Sequence, residues 1–168
     1  INWQPVLSWQ ADLTGQQLNP GVRWPEWPGH LNFRLFSTGS QPQQQPLQLQ
    51  LSIDSLTGLI RGQPIRGDAQ VEVSGSEVVI PRLTLAVAGA NVEARGSLGQ
   101  QLNLNWHLNV PHVKPLLPHA QGSFSGAGTL QGPKEQPMLS ARLQGENLEY
   151  DHYQIATLNA DLDIDLAA

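Results

Sequence analysis

His107, His112 and His119 lie close together in the sequence and raise the question of a metal site. Imidazole is a good zinc ligand, but ligands need a spacing that converges on one point, and no HExxH pair is present. His107 falls on the polar parity of an alternating stretch, and His112 and His119 sit in a Pro-rich segment, so surface histidines are expected and no metal. Asp161, Asp163 and Asp165 are spaced by two. General acid–base pairs come from facing elements in a pocket. Three carboxylates on one side of a strand make a solvated outer face that also discourages edge pairing. Gly122-Ser123-Phe124-Ser125-Gly126-Ala127-Gly128 has the glycines of a phosphate loop but lacks its terminal Lys-Ser or Lys-Thr and a following helix. Alternating Gly in this setting lets a strand bend or pack closely. No GxSxG elbow occurs among the many Ser residues. Trp3, Trp9, Trp24 and Trp27 crowd the N-terminal fifth, either capping an apolar interior or forming a carbohydrate platform. No catalytic residue and no cofactor is expected.

The elements that would position such residues are strands. Of the 168 residues, only 14% are charged, against about 25% in ordinary domains. The chain has 16 Gly, 13 Pro and no Cys. Gly and Pro disfavour helix interiors, and the absence of Cys removes disulfides and thiol chemistry. A net charge of −5 argues against a nucleic-acid groove. No apolar run approaches the ~20 residues of a membrane helix. The chain begins at Ile1-Asn2-Trp3 and ends near Asp163-Ile164-Asp165-Leu166 inside strand-like sequence, and is expected to be an internal segment of a longer protein.

Period-2 alternation dominates, the mark of strands with one apolar and one wet face. The apolar parities are Leu47, Leu49, Leu51 and Ile53; Ala69, Val71 and Val73; Leu83, Leu85 and Val87; and Val92 with Ala94. They continue with Leu102, Leu104, Trp106, Leu108 and Val110; Leu139, Ala141 and Leu143; and Leu158, Ala160, Leu162, Ile164 and Leu166. Turn signals at Thr57-Gly58, Ser74-Gly75, Ala88-Gly89, Leu98-Gly99 and Gln144-Gly145 separate about ten strands. A pattern recurs: Ala11, Leu13, Gly15, Leu18; Val71, Val73, Gly75, Val78; Ala141, Leu143, Gly145, Leu148. Such repetition suggests a stacked architecture. Residues 20–29 and 111–121 are each expected to hold a short helical turn, and Gln41–Pro46 a loose loop. The chain is expected to be one repeat-built unit over 1–168, with subunits of roughly 1–40, 47–121 and 122–168.

Each apolar strand face needs a cover, and almost no helix is available. The sheet either closes as a sandwich or barrel, which would suit an adhesin or carbohydrate-binding module, or curls into a trough whose interior meets something other than protein. Repetition favours the trough. The groove would be lined by Leu49, Leu51, Ile53, Val71, Val73, Leu83, Leu85, Val87, Leu102, Leu104, Trp106, Leu108, Leu139, Leu143, Leu158, Leu162 and Ile164.

The stretch GQPIRGDAQVEVSGSEVVIPRLTLAVAGANVEARGSLG (62–99), the Leu102–Pro111 strand with its LLP segment, GSFSGAGTLQG, QPMLSARLQGENLEY and LNPGVRWPEWPG resemble the TamB family, within the broader AsmA-like group. The resemblance runs over most of the chain except residues 41–46. It implies an all-β, elongated, curled, taco-like sheet with an apolar interior, in a periplasmic protein anchored in the inner membrane of a diderm bacterium. It further implies an Omp85-class outer-membrane partner, TamA. The implied work is non-enzymatic: phospholipid transport between the membranes, with acyl chains in the groove, and assembly of outer-membrane β-barrel proteins such as autotransporters, whose nascent strands are further candidate partners.

Overall fold

In the computed structural model, which describes residues 7–42 and 45–166, the chain is a ten-stranded antiparallel meander. The strands are β1 (Leu7–Leu18), β2 (Gly29–Gln41), β3 (Gln48–Ile60), β4 (Gln63–Ser74), β5 (Glu77–Val87), β6 (Ala90–Leu98), β7 (Gln101–Val110), β8 (Ala120–Pro133), β9 (Met138–Tyr150) and β10 (Tyr153–Asp165). Each strand pairs with its sequence neighbours. β1 and β10 make no contact with each other, so the curled sheet is unclosed. The closed sandwich or barrel is therefore excluded, and the elongated trough is the fold.

The curl has a local cause. Between β2 and β4, Asp54 and Ser55 supply one residue more than their partners can match, and in β5 Pro81 does the same, with Ile80 against β4 and with Arg82 against β6. These bulges fall in mid-strand. An extra residue bends its strand and sharpens the local twist, and a bulge is where a strand tolerates Pro.

The turns only partly follow the expected glycines. Gly75, Ala88-Gly89 and Gly99 do lie between strands, but Gly58 sits within β3 and Gly145 within β9. The β3–β4 turn is Arg61-Gly62, with φ of 51° and 76°, the left-handed pair that a two-residue hairpin requires. The threefold pattern also divides. Its first and third copies lie wholly within β1 and β9, and each carries a left-handed residue two after the glycine, Gln17 and Asn147. The second copy spans the β4–β5 hairpin instead.

Of the two expected helical turns, Pro20–Val22 is a short 3-10 helix capped by the Asn19 side chain. Residues 111–119 form turns, in which Leu117 N–H donates to the Val113 carbonyl at 2.9 Å. The expected loop at 41–46 begins later, since β2 runs through Gln41, and residues 43–44 lie outside the described ones.

The wet face carries cross-strand ion pairs: Arg34–Asp12 at 2.9 Å, Arg82–Asp68 at 2.8 Å and Arg142–Asp161 at 2.8 Å. The Arg34 hydrogen bond holds the Asp12 carboxyl below its ordinary range. A lowered folded-state pKa contributes above the unfolded value and is lost as pH falls through the folded one. The contribution of this pair is therefore complete at neutral pH and disappears below about pH 4. Exposure keeps it small. Thermal midpoints of the wild type and Asp12→Asn are expected to differ slightly at neutral pH and to converge under strong acid.

Candidate functional site

The register assembles the apolar parities into continuous rows. One row crosses all ten strands: Leu13, Leu35, Ile53, Ala69, Leu83, Ala94, Trp106, Gly128, Ala141 and Leu162. The next row is Gly15, Phe33, Leu56, Gly67, Leu85, Val92, Leu108, Gly126, Leu143 and Ala160. Neither contains a polar side chain. A shorter row beside the first holds Ile80, Gly96, Leu104, Leu130, Leu139 and Ile164. At about 4.8 Å per strand spacing, a full row is about 43 Å long, longer than the ~30 Å hydrocarbon core of a bilayer.

All 17 residues expected to line the groove fall on this face. Ile53, Leu83, Trp106 and Leu162 stand in the first row and Leu85, Leu108 and Leu143 in the second. Leu104, Leu139 and Ile164 stand in the third. Leu49 pairs with Val73, and Leu51 with Val71. Val87 pairs with Ile65, Leu102 with Gly132, and Leu158 with Gly145.

Several lining residues escape simple alternation. Leu56, Val78 and Ile80 face inward because the bulges at Asp54-Ser55 and Pro81-Arg82 restore the parity that plain counting loses. The signal was present: two successive non-apolar residues interrupt the alternation at Asp54-Ser55 and again at Pro81-Arg82. Leu59 and Val79, displaced by the same slip, point outward and are exposed.

Nothing in the described chain covers this face. Its buried apolar residues are Ala90, Val110, Ala120 and Ala141, and no large side chain is fully buried. The accessible surface is 11701 Å². A compact monomer of 18.3 kDa exposes about 8,100 Å². The lining side chains are mostly half-buried, screened by one another and by the curl rather than by a second layer.

Two of the glycines of 122–128, Gly126 and Gly128, have a packing role. Trp106 lies opposite Gly128, and its indole occupies the space that side chains at Gly126 and Gly128 would need, with a Cβ at Gly128 falling 2.9 Å from Trp106 Cζ2. Trp9 lies in the same way over Gly39, and Phe33 over Gly15. Flat rings laid across glycines keep the trough smooth. Trp9 also donates to Ser37 Oγ at 3.2 Å. The expected Trp cluster separates: Trp9 lies near the start of β1, while Trp24 and Trp27 are exposed beyond its far end. They therefore neither cap the interior together nor form one platform with Trp9. Trp3 lies outside the described residues.

Among the described residues no group of His, Asp and Glu is placed to hold a metal ion, and no helix is long and apolar enough to cross a membrane. His107 stands opposite Glu93 and Ala127 on the wet face, and Asp161 is paired with Arg142. What the arrangement offers chemically is an uncovered apolar strip with a polar exterior.

A family model for the N-terminal domain of TamB matches residues 1–168. The chain belongs to the TamB family. No solved structure matches it.

Proposed function

We propose that this TamB domain is a segment of a hydrophobic conduit in which phospholipid acyl chains travel along the apolar rows between the inner and outer membranes. The observation that carries this reading is the pair of unbroken ten-residue apolar rows without a protein cover. Burying a methylene away from water is worth about 0.8 kcal/mol, so a two-tailed lipid gains on the order of 20 kcal/mol over water from such a surface. Relative to a bilayer the exchange is close to neutral, since both environments are apolar. A conduit needs that balance: strong shielding from water, with neighbouring positions of similar energy so that the guest slides. The head group stays in water at the open seam. No step requires catalysis.

The full-length protein would work in the periplasm, anchored in the inner membrane and joined to a TamA-like Omp85 partner. Assembly of outer-membrane β-barrel proteins is the second role carried by this reading. Such a role would use main-chain hydrogen bonds between an added strand and an exposed sheet edge.

The purified chain is expected to carry phospholipid through purification, detected by mass spectrometry of an organic extract. A lipid-free chain that also fails to take up phospholipid from detergent micelles would contradict the conduit.

A further inference from the structure

The apolar rows run across the strands, so the length of each strand sets the width of the trough at that point. β2 and β3 have 13 residues each, β4 has 12, β5 has 11 and β6 has 9. β7 has 10, and β8, β9 and β10 then have 14, 13 and 13. At about 3.4 Å per residue, the sheet narrows from about 44 Å across at β2 to about 31 Å at β6 before it widens again. The pairing follows the same taper. The β2–β3 ladder runs from Gly29–Ile60 to Ser40–Gln48, whereas the β6–β7 ladder runs only from Asn91–Asn109 to Ser97–Asn103. The trough therefore has a waist at β6 and β7.

Burial narrows the waist further. Ala90 pairs with Val87 and Val110 with Phe124 on the apolar face. Ala90 and Val110 are each 6% exposed, while Val92 and Leu108 beside them are half-buried. A guest at the waist thus meets Val92, Ala94 and Gly96 of β6 and Leu104, Trp106 and Leu108 of β7, and not the flank beyond. Trp106 stands in the middle of this strip, opposite Ala94. Among the described residues only Trp9, in β1, brings another indole to the apolar face. The Trp106 ring already rests against Gly126 and Gly128, so it has no room to sink. Ala94 and Gly96 are the small residues that keep a passage open beside it. Where walls cannot yield, apolar packing tolerates added methyl groups poorly.

We infer that the β6–β7 waist is a girth filter and that Trp106 is its specificity-determining residue: straight acyl chains pass, and methyl-branched chains are held back. The inference rests on the conduit reading and adds to it the class of tail that the trough accepts.

The test uses a leucine analogue carrying a diazirine, placed in turn at Leu35 in β2, Leu104 in β7 and Leu143 in β9. Each protein is irradiated with micellar dipalmitoylphosphatidylcholine or diphytanoylphosphatidylcholine, which share head group and main-chain length and differ in methyl branches. The straight lipid is expected to label all three positions. The branched lipid is expected to label Leu35 and Leu143 but Leu104 about tenfold less, the scale on which apolar sites discriminate by size. In Trp106→Ala the branched lipid should label Leu104 as it labels the other two. Ala94→Leu, which adds bulk opposite the ring, should reduce labelling of Leu104 by the straight lipid as well. Straight-lipid labelling of Leu35 and Leu143 in each variant shows that the trough has formed. Equal labelling of Leu104 by both lipids in the wild type, a deficit that Trp106→Ala leaves unchanged, or no effect of Ala94→Leu would overturn the filter and leave the conduit standing. No labelling by either lipid at any of the three positions would overturn the conduit and the filter with it.

Discussion

Leu104→Glu in the full-length protein is expected to abolish its function in cells, while Asn105→Glu leaves it intact. The two positions are adjacent in β7 and differ in face. Leu104 lies between Gly96 and Leu130 on the apolar side, and Asn105 between Arg95 and Thr129 on the wet side. A carboxylate in the path of acyl chains must be desolvated whenever a tail passes, at about 3 kcal/mol on membrane-insertion scales. That corresponds to roughly a hundredfold slower passage. Leu104 is only half-buried, so its replacement should leave circular dichroism and thermal midpoint close to wild type, and lost activity would then not reflect unfolding. The readout is rescue of envelope integrity in cells that lack the wild-type protein. Equal effects at the two positions would contradict the assigned faces.

Gly128→Val is expected to act oppositely, through the fold itself. A Cβ at this position falls on the Ser140 carbonyl oxygen and close against the Trp106 ring. Neither is the free end of a flexible side chain, so the β8–β9 ladder or the indole must move. Overpacking of this kind costs about 1–3 kcal/mol or more, and a displaced Trp106 would also obstruct the first apolar row. Gly62→Ala makes the control. Nothing lies within 4 Å of its added Cβ, and its φ of 76° leaves only the left-handed backbone penalty, about 1 kcal/mol. Denaturant midpoints should therefore fall much further for Gly128→Val than for Gly62→Ala. Similar midpoints would show that Gly128 is not there to make room for the ring.

The strands and their apolar parity were legible because each strand has one wet face, and period-2 alternation then writes the burial directly into residue types. β7 is the clearest instance, with Leu102, Leu104, Trp106 and Leu108 against Asn103, Asn105, His107 and Asn109. Alternation failed where the backbone changes its count. Counting by twos from Ile53 points Leu59 inward, yet the bulge at Asp54-Ser55 turns it out and brings Leu56 in. Glycine was ambiguous for a related reason: Gly75 serves a hairpin, whereas Gly145 lies in mid-strand beneath the Leu148 side chain. Both need the missing Cβ, and a one-dimensional pattern does not separate them.

The most direct test of the central claim is site-specific photo-crosslinking in living cells, with the photoreactive residue placed in turn at Leu85, Leu104 and Leu143 and at Glu93 and Asn105. The account predicts adducts of phospholipid mass at the first three positions and none at the last two. Absence of lipid adducts at all five, or equal labelling of both faces, would contradict it.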